Sequence, residues 1–155
     1  MLRVSRLTDY ATVLLAQMAR EPETVYTASD LAERTHLGRA TVSKLLKQFV
    51  RGGLLQSYRG AHGGYVLARA PGRISAAEII DTVEGPMAVT ECSLDDRHCD
   101  LENVCNVGHH WQRINREIRA ALEEVTLADL AAPTAVPLQR MDLRRAVTGS
   151  LRANG

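Results

Sequence analysis

Apolar residues recur at three- and four-residue steps through Leu7, Tyr10, Ala11, Leu14, Leu15 and Met18. That period predicts an amphipathic helix from about Ser5 to Arg20 with these side chains on one face. Pro22 ends it. Thr27 has the character of an N-cap, and Asp30 three residues on suits the positive end of a helix dipole, so a short second helix is expected over Ala28–Thr35. Gly38 marks a tight turn. From Arg39 the pattern resumes with Val42, Leu45, Leu46 and Phe49 as the buried stripe. Ala40, Thr41, Ser43, Lys44, Lys47 and Arg51 then fall on or beside the opposite face. Gly52 and Gly53 stop this helix.

Two short apolar runs follow, Leu54 to Tyr58 and Tyr65 to Leu67, joined by the glycine-rich Arg59-Gly60-Ala61-His62-Gly63-Gly64. They read as a β-hairpin. Helix, short helix, turn, amphipathic helix and hairpin in that order make a winged helix-turn-helix, in which the third helix enters a major groove and the hairpin loop reaches along the backbone. Candidate DNA contacts are Thr27, Arg39, Ala40, Thr41, Ser43, Lys44 and Lys47 on the helices, and Arg59 and His62 on the loop. A solvated cationic face and an ordinary hairpin turn are the plainer accounts of these features taken singly. Their combination favours DNA, since a basic helix face beside an Arg-tipped loop suits two adjacent phosphate contacts.

Ser75 and Glu78 form an S-x-x-E capping box, with Ile74 positioned to staple against Ile79, and Gly85-Pro86 closes that helix. A long helix is expected from about Asn106 to Glu124. Val107, Trp111, Ile114, Ile118, Leu122 and Val125 form its apolar seam, suited to a partner helix in a homodimer; burial against its own domain is the bland alternative. Thr126 can cap one more turn through Leu130, and Pro133 and Pro137 signal a loosely ordered tail. The expected fold is mainly α. Residues 1–73 form the winged helix-turn-helix, 74–131 the capped helix, cysteine loop and dimerisation helix, and 132–155 a flexible tail.

The net charge of +1 conceals an asymmetry: residues 1–73 carry eleven Lys/Arg against five Asp/Glu, and residues 74–131 carry four against twelve. A basic first region suits nucleic acid. With no signal-peptide pattern and no bilayer-length apolar segment, the expectation is a soluble cytoplasmic protein without a membrane partner. No Ser/His/Asp set, phosphate loop or paired-carboxylate motif stands out, so neither an enzyme nor a small-molecule substrate is expected.

All three cysteines, Cys92, Cys99 and Cys105, lie in the acidic stretch ECSLDDRHCDLENVC. An odd, clustered set in a reducing compartment points to metal ligation or redox chemistry rather than disulfides. Their separations of six and five residues are wider than the two to four usual in structural zinc sites, and suit a loop wrapped around an iron-sulfur cluster. Zinc held by the cysteines and one of His98, His109 or His110 stays open, as do free thiols.

The start RLTDYA, the hairpin GLLQSYRGAHGGYVLAR, the capped SAAEIIDTVEG and the C-x6-C-x5-C loop with a Trp six residues on together resemble the IscR/NsrR-type winged-helix repressors, and most of all the regulators of the SUF iron-sulfur assembly system. The resemblance covers about residues 1–131. It implies that Cys92, Cys99 and Cys105 ligate one cluster per subunit, with two irons preferred to four, that Arg59 is a wing contact, and that the long helix dimerises. It further implies that cluster occupancy alters binding to a double-stranded operator, with repression of iron-sulfur assembly genes as the expected output. For the fourth ligand, the NsrR branch points to Asp9, reaching the partner subunit's cluster. The histidine of the IscR branch falls at Gly108, which leaves His109 as the alternative and His110 behind it. Asp9 is also an ordinary first-turn aspartate favoured by the dipole. Ser43 stands where the IscR branch carries a base-reading glutamate, so its operator preference does not transfer. The alternatives are a zinc-stapled or thiol-redox regulator, a nitric-oxide-sensing repressor, or a cluster carrier.

Overall fold

The computed structural model describes residues 4–90 and 107–133. Helix α1 (Arg6–Ala19) starts where Ser5 supplies a cap, its hydroxyl accepting the Thr8 N–H at 3.3 Å. Its apolar face buries Ala11, Leu14, Leu15 and Met18. Helix α2 (Ala28–Thr35) starts at a full capping box: Asp30 N–H donates to the Thr27 hydroxyl at 3.2 Å, and Thr27 N–H donates to the Asp30 carboxylate at 3.0 Å. The hydrogen bond from the Thr27 hydroxyl holds the Asp30 carboxyl below its ordinary pKa. Helix α3 (Arg39–Arg51) buries Val42, Leu45, Leu46 and Phe49, the stripe read from the sequence.

The turn expected at Gly38 lies between α2 and α3. Gly38, at φ −61°, is simply the N-cap residue of α3, whereas the left-handed residue is His36 at φ +56°. A single helix-ending residue can take this conformation without glycine at modest cost.

Strands β1 (Leu55–Tyr58) and β2 (Gly64–Leu67) pair antiparallel from Leu55 opposite Leu67 to Tyr58 opposite Gly64. β2 is held on its other side as well. Tyr26 and Tyr65 exchange two backbone hydrogen bonds of 2.8 Å, which pins the hairpin to the residue just before the α2 cap.

A 3-10 turn (Pro71–Arg73) leads into α4 (Ala76–Glu84), which begins at the predicted Ser75/Glu78 box. Burial acts to raise the Glu78 carboxyl, but the Ser75 N–H and the Arg69 guanidinium at 2.8 Å outweigh it and hold it below the ordinary range. Helix α5 (Gly108–Glu124) packs on α4, with Arg119 reaching Asp81 at 2.8 Å, and its buried Asn115 holds the chain beyond α4 by accepting the Val89 N–H at 3.1 Å. The residue expected to open this helix, Asn106, lies outside the described residues.

After α5 the chain returns to the first region. Val125 has left the helix and its carbonyl accepts the Ala76 N–H at 2.8 Å, while Leu127 N–H donates to the Ile74 carbonyl at 2.8 Å. Helix α6 (Leu127–Ala131), opened by a third capping box from Thr126 and Asp129, lies on α1. Leu127, Ile74 and Ile79 therefore sit in the same core as the faces of α1, α2 and α3, so the helix-turn-helix shares its interior with residues beyond 73. Leu127 is fully buried. Leu127→Ala is expected to lower unfolding free energy by about 3–5 kcal/mol, the range for a leucine lost from a core that closes only partly; urea titration checks it.

Candidate nucleic-acid interface

Helix α3 has no side-chain cap and no acidic residue in its first turn, so the positive end of its dipole is unneutralised. Arg39 and Ala40 are exposed there, with Lys44 and Lys47 exposed further along; Thr41 and Ser43 are half-buried beside them. The Arg39 guanidinium donates to the Ser29 hydroxyl of α2 at 2.6 Å, which steadies one side chain across both helices of the motif. Ser29 has no periodic or motif signal in the sequence. Thr27 is exposed, but its side chain is committed to the α2 capping box.

The hairpin tip brings Arg59 and His62 out into solvent. Gly63 N–H closes the tip onto the Gly60 carbonyl at 3.0 Å. Where β2 leaves the tip, a Cβ on Gly64 would fall 2.5 Å from the Tyr26 carbonyl oxygen, so only glycine lets the strand approach this closely. The result is an open cleft of about 390 Å³ between the start of α2 and the hairpin, lined by Thr27, Ala28, Tyr58, Arg59 and the loop glycines. Tyr58 was not among the residues singled out from the sequence. It is 53% exposed at the end of β1, with its hydroxyl donating to Gln56 at 3.1 Å. Strand alternation from the buried Leu55 signals that Tyr58 turns outward.

The proposed seam on α5 divides. Val107, Trp111 and Ile114 are exposed at 54%, 38% and 42%, while Ile118, Leu122 and Val125 are partly covered by their own chain. Beside the exposed part runs a shallow groove lined by His110, Arg113, Ile114, Glu117 and Ile118.

Cys92, Cys99 and Cys105 lie outside the described residues, as does His98. Asp9 is exposed in the first turn of α1, and His109 and His110 are exposed in the first turn of α5. Among the described residues no three His, Cys, Asp or Glu side chains converge as a metal site, and no helix is long and apolar enough to cross a membrane.

Comparison with known proteins agrees with this geometry. The helix-turn-helix transcriptional regulator CymR of Bacillus subtilis is 29% identical over 134 residues, covering 86% of this chain and 92% of that protein. The solved structure of CymR, described as the global cysteine regulator of B. subtilis, aligns with a TM-score of 0.65 at 31% identity over 84% of this chain and 97% of that one. The structure of IscR from T. potens aligns with a TM-score of 0.59 at 30% identity, covering 83% and 85%. The helix-turn-helix regulator ORF2 of Azotobacter vinelandii is 35% identical over 118 residues, 76% of this chain and 71% of that protein. The model of the Rrf2 family, described as an iron-dependent transcriptional regulator, matches residues 4–133. With helix-turn-helix, hairpin and returning α6 all inside that match, the chain belongs to the Rrf2 family of transcriptional regulators.

Proposed function

We propose that this protein is a homodimeric repressor of iron-sulfur assembly genes, and that Cys92, Cys99 and Cys105 hold an iron-sulfur cluster whose occupancy sets operator affinity. The observation that carries the reading is the contact between α4 and α3. A Cβ on Gly52, at the end of α3, would fall 2.6 Å from the Thr82 side chain of α4. The helix that leads into the cysteine segment therefore abuts the helix proposed to read DNA, and a shift of one is felt by the other in a close-packed interior.

The donor set fits an iron-sulfur cluster. The three thiolates are soft donors, and an exposed carboxylate from Asp9 or an imidazole from His109 would complete them as a harder, more labile fourth ligand. When bound, the cluster supplies a redox- and oxygen-sensitive centre. The family's description as iron-dependent supports the same reading. In the dimer, the exposed Trp111 and Ile114 of α5 would meet their copies, and two α3 helices would address half-sites about one DNA turn apart. Lys44, Lys47 and Arg59 would neutralise phosphates, and Ala40, Thr41 and Ser43 would approach base edges.

A second reading is a regulator that responds through the thiols themselves, favoured by the likeness to the protein described as a global cysteine regulator. Anaerobic purification with iron and sulfide analysis separates the two. Iron and sulfide bound in proportion to subunit are expected for the native sequence and lost in Cys99→Ser. Colourless, metal-free protein whose operator binding follows thiol oxidation would decide for the second reading.

A further inference from the structure

Helix α4 ends at Glu84, and Glu84 reaches across to the start of α1. One carboxylate oxygen, Oε1, accepts both the Ser5 backbone N–H at 3.0 Å and the Thr8 hydroxyl. Ser5 is the cap of α1, and Thr8, only 1% exposed, lies in its first turn. A hydroxyl this buried depends on its acceptor, because water cannot readily replace it. Asp9 is the next residue.

On the far side of Glu84 the chain turns at Gly85, with φ of +89°, and heads for the cysteine segment. That approach is tied down twice. Met87 N–H donates to Asp81 of α4 at 3.1 Å, and Val89 N–H donates to the buried Asn115 of α5 at 3.1 Å. Displacement of the chain entering residue 91 therefore pulls on α4 and α5 together, and through Glu84 on α1. Helix α1 packs directly against α2 of the helix-turn-helix.

We propose that Glu84 is a positioning residue, a latch that transmits the state of the cysteine segment to α1 and through it to the DNA-reading helices. This rests on the cluster reading above. A contact made in one state and broken in the other biases both sites by the same free energy, which is what links cysteine occupancy to operator affinity.

The test uses the full-length protein with Glu84→Ala, Glu84→Asp and Glu84→Gln. Operator affinity is measured by fluorescence anisotropy on metal-free and on iron-sulfide-reconstituted protein, with iron per subunit and amide exchange of the first turn of α1 as separate readouts. The native protein is expected to show an affinity ratio between its two forms within the roughly 5- to 150-fold range of allosteric coupling. Glu84→Ala and Glu84→Asp, which remove or retract the acceptor, should bind the same iron, exchange faster in the first turn of α1, and bring the ratio to within about twofold of unity. Glu84→Gln keeps an oxygen at the position that serves both donors and should keep the native ratio. A native protein that responds to loading alongside Ala and Asp variants that respond equally overturns the latch alone. A native protein indifferent to loading overturns the cluster reading and the latch with it.

Discussion

Replacing Lys44, Lys47 and Arg59 together with alanine is expected to reduce operator affinity by about a thousandfold or more at physiological salt, on the scale set by a handful of phosphate contacts. All three side chains are exposed, and none forms an ion pair with another described residue. They are therefore free to displace counterions from a phosphate backbone. Each neutralised phosphate contributes about 0.9 to the slope of log affinity against log salt, so a dimer stripped of six cations should show a slope shallower by about 5. Folding should barely change, since surface substitutions without partners usually fall within about 0.5 kcal/mol. Anisotropy titrations between low and physiological salt, with urea unfolding as the control, read both quantities. Native affinity and an unaltered slope in the triple variant would move the DNA surface elsewhere on the molecule.

Gly64→Ala should unseat the hairpin without touching a cationic residue. The new methyl would stand 2.5 Å from the Tyr26 carbonyl oxygen and 2.8 Å from the Val25 side chain. The carbonyl cannot give way, because it accepts the Tyr65 N–H at 2.8 Å. Nor can Tyr26 swing aside. Its ring is 2% exposed, with Arg34 stacked 5.3 Å from its centre and its hydroxyl donating to Glu21 at 3.1 Å. Relief must come from β2, which loses its bridge to the root of α2. The expected cost is about 1–3 kcal/mol, the range for overpacking a tight site. Operator affinity should fall with it, and adding Arg59→Ala to Gly64→Ala should do less than Arg59→Ala does alone, because the guanidinium is already out of register. Additive losses in that double-mutant cycle would mean that Arg59 acts independently of the bridge.

The parts of the fold that were legible in the sequence depend on residues three or four apart. The Thr27 cap, the Ser75/Glu78 box, the Thr126 cap, and the stripes of α1 and α3 all formed where the pattern put them. The turn marked by Gly38 formed between α2 and α3, with His36 as its left-handed residue. The hairpin was legible too, from two short apolar runs and a glycine loop. What joined it to α2 was not, because Tyr26 and Tyr65 carry no mark of each other in a linear reading.

The site divides in the same way. Exposed Lys44, Lys47 and Arg59 followed from period and loop chemistry, whereas the Ser29 partner of Arg39 and the cleft around Tyr58 needed α2, α3 and the hairpin side by side. On α5 the spacing of Trp111, Ile114 and Ile118 defined a seam, but not which side the protein's own chain would cover. Arg119 on Asp81 of α4 and Asn115 on the Val89 N–H just beyond it, polar residues that a hydrophobic pattern passes over, fixed which face of α5 turns inward, with Trp111 and Ile114 in the open.

By itself, the order of residues determined the helices, their caps, the exposed basic face of α3 and the gathering of every thiol into one stretch, since each follows from short-range periodicity and side-chain chemistry. Only the tertiary structure decided that Leu127 completes the core beneath α1, that Glu84 grips Ser5 and Thr8, and that Tyr26 anchors the hairpin. Those contacts join residues dozens of positions apart. Their partners are chosen by which surfaces meet once the chain has closed on itself, and no local preference encodes that choice.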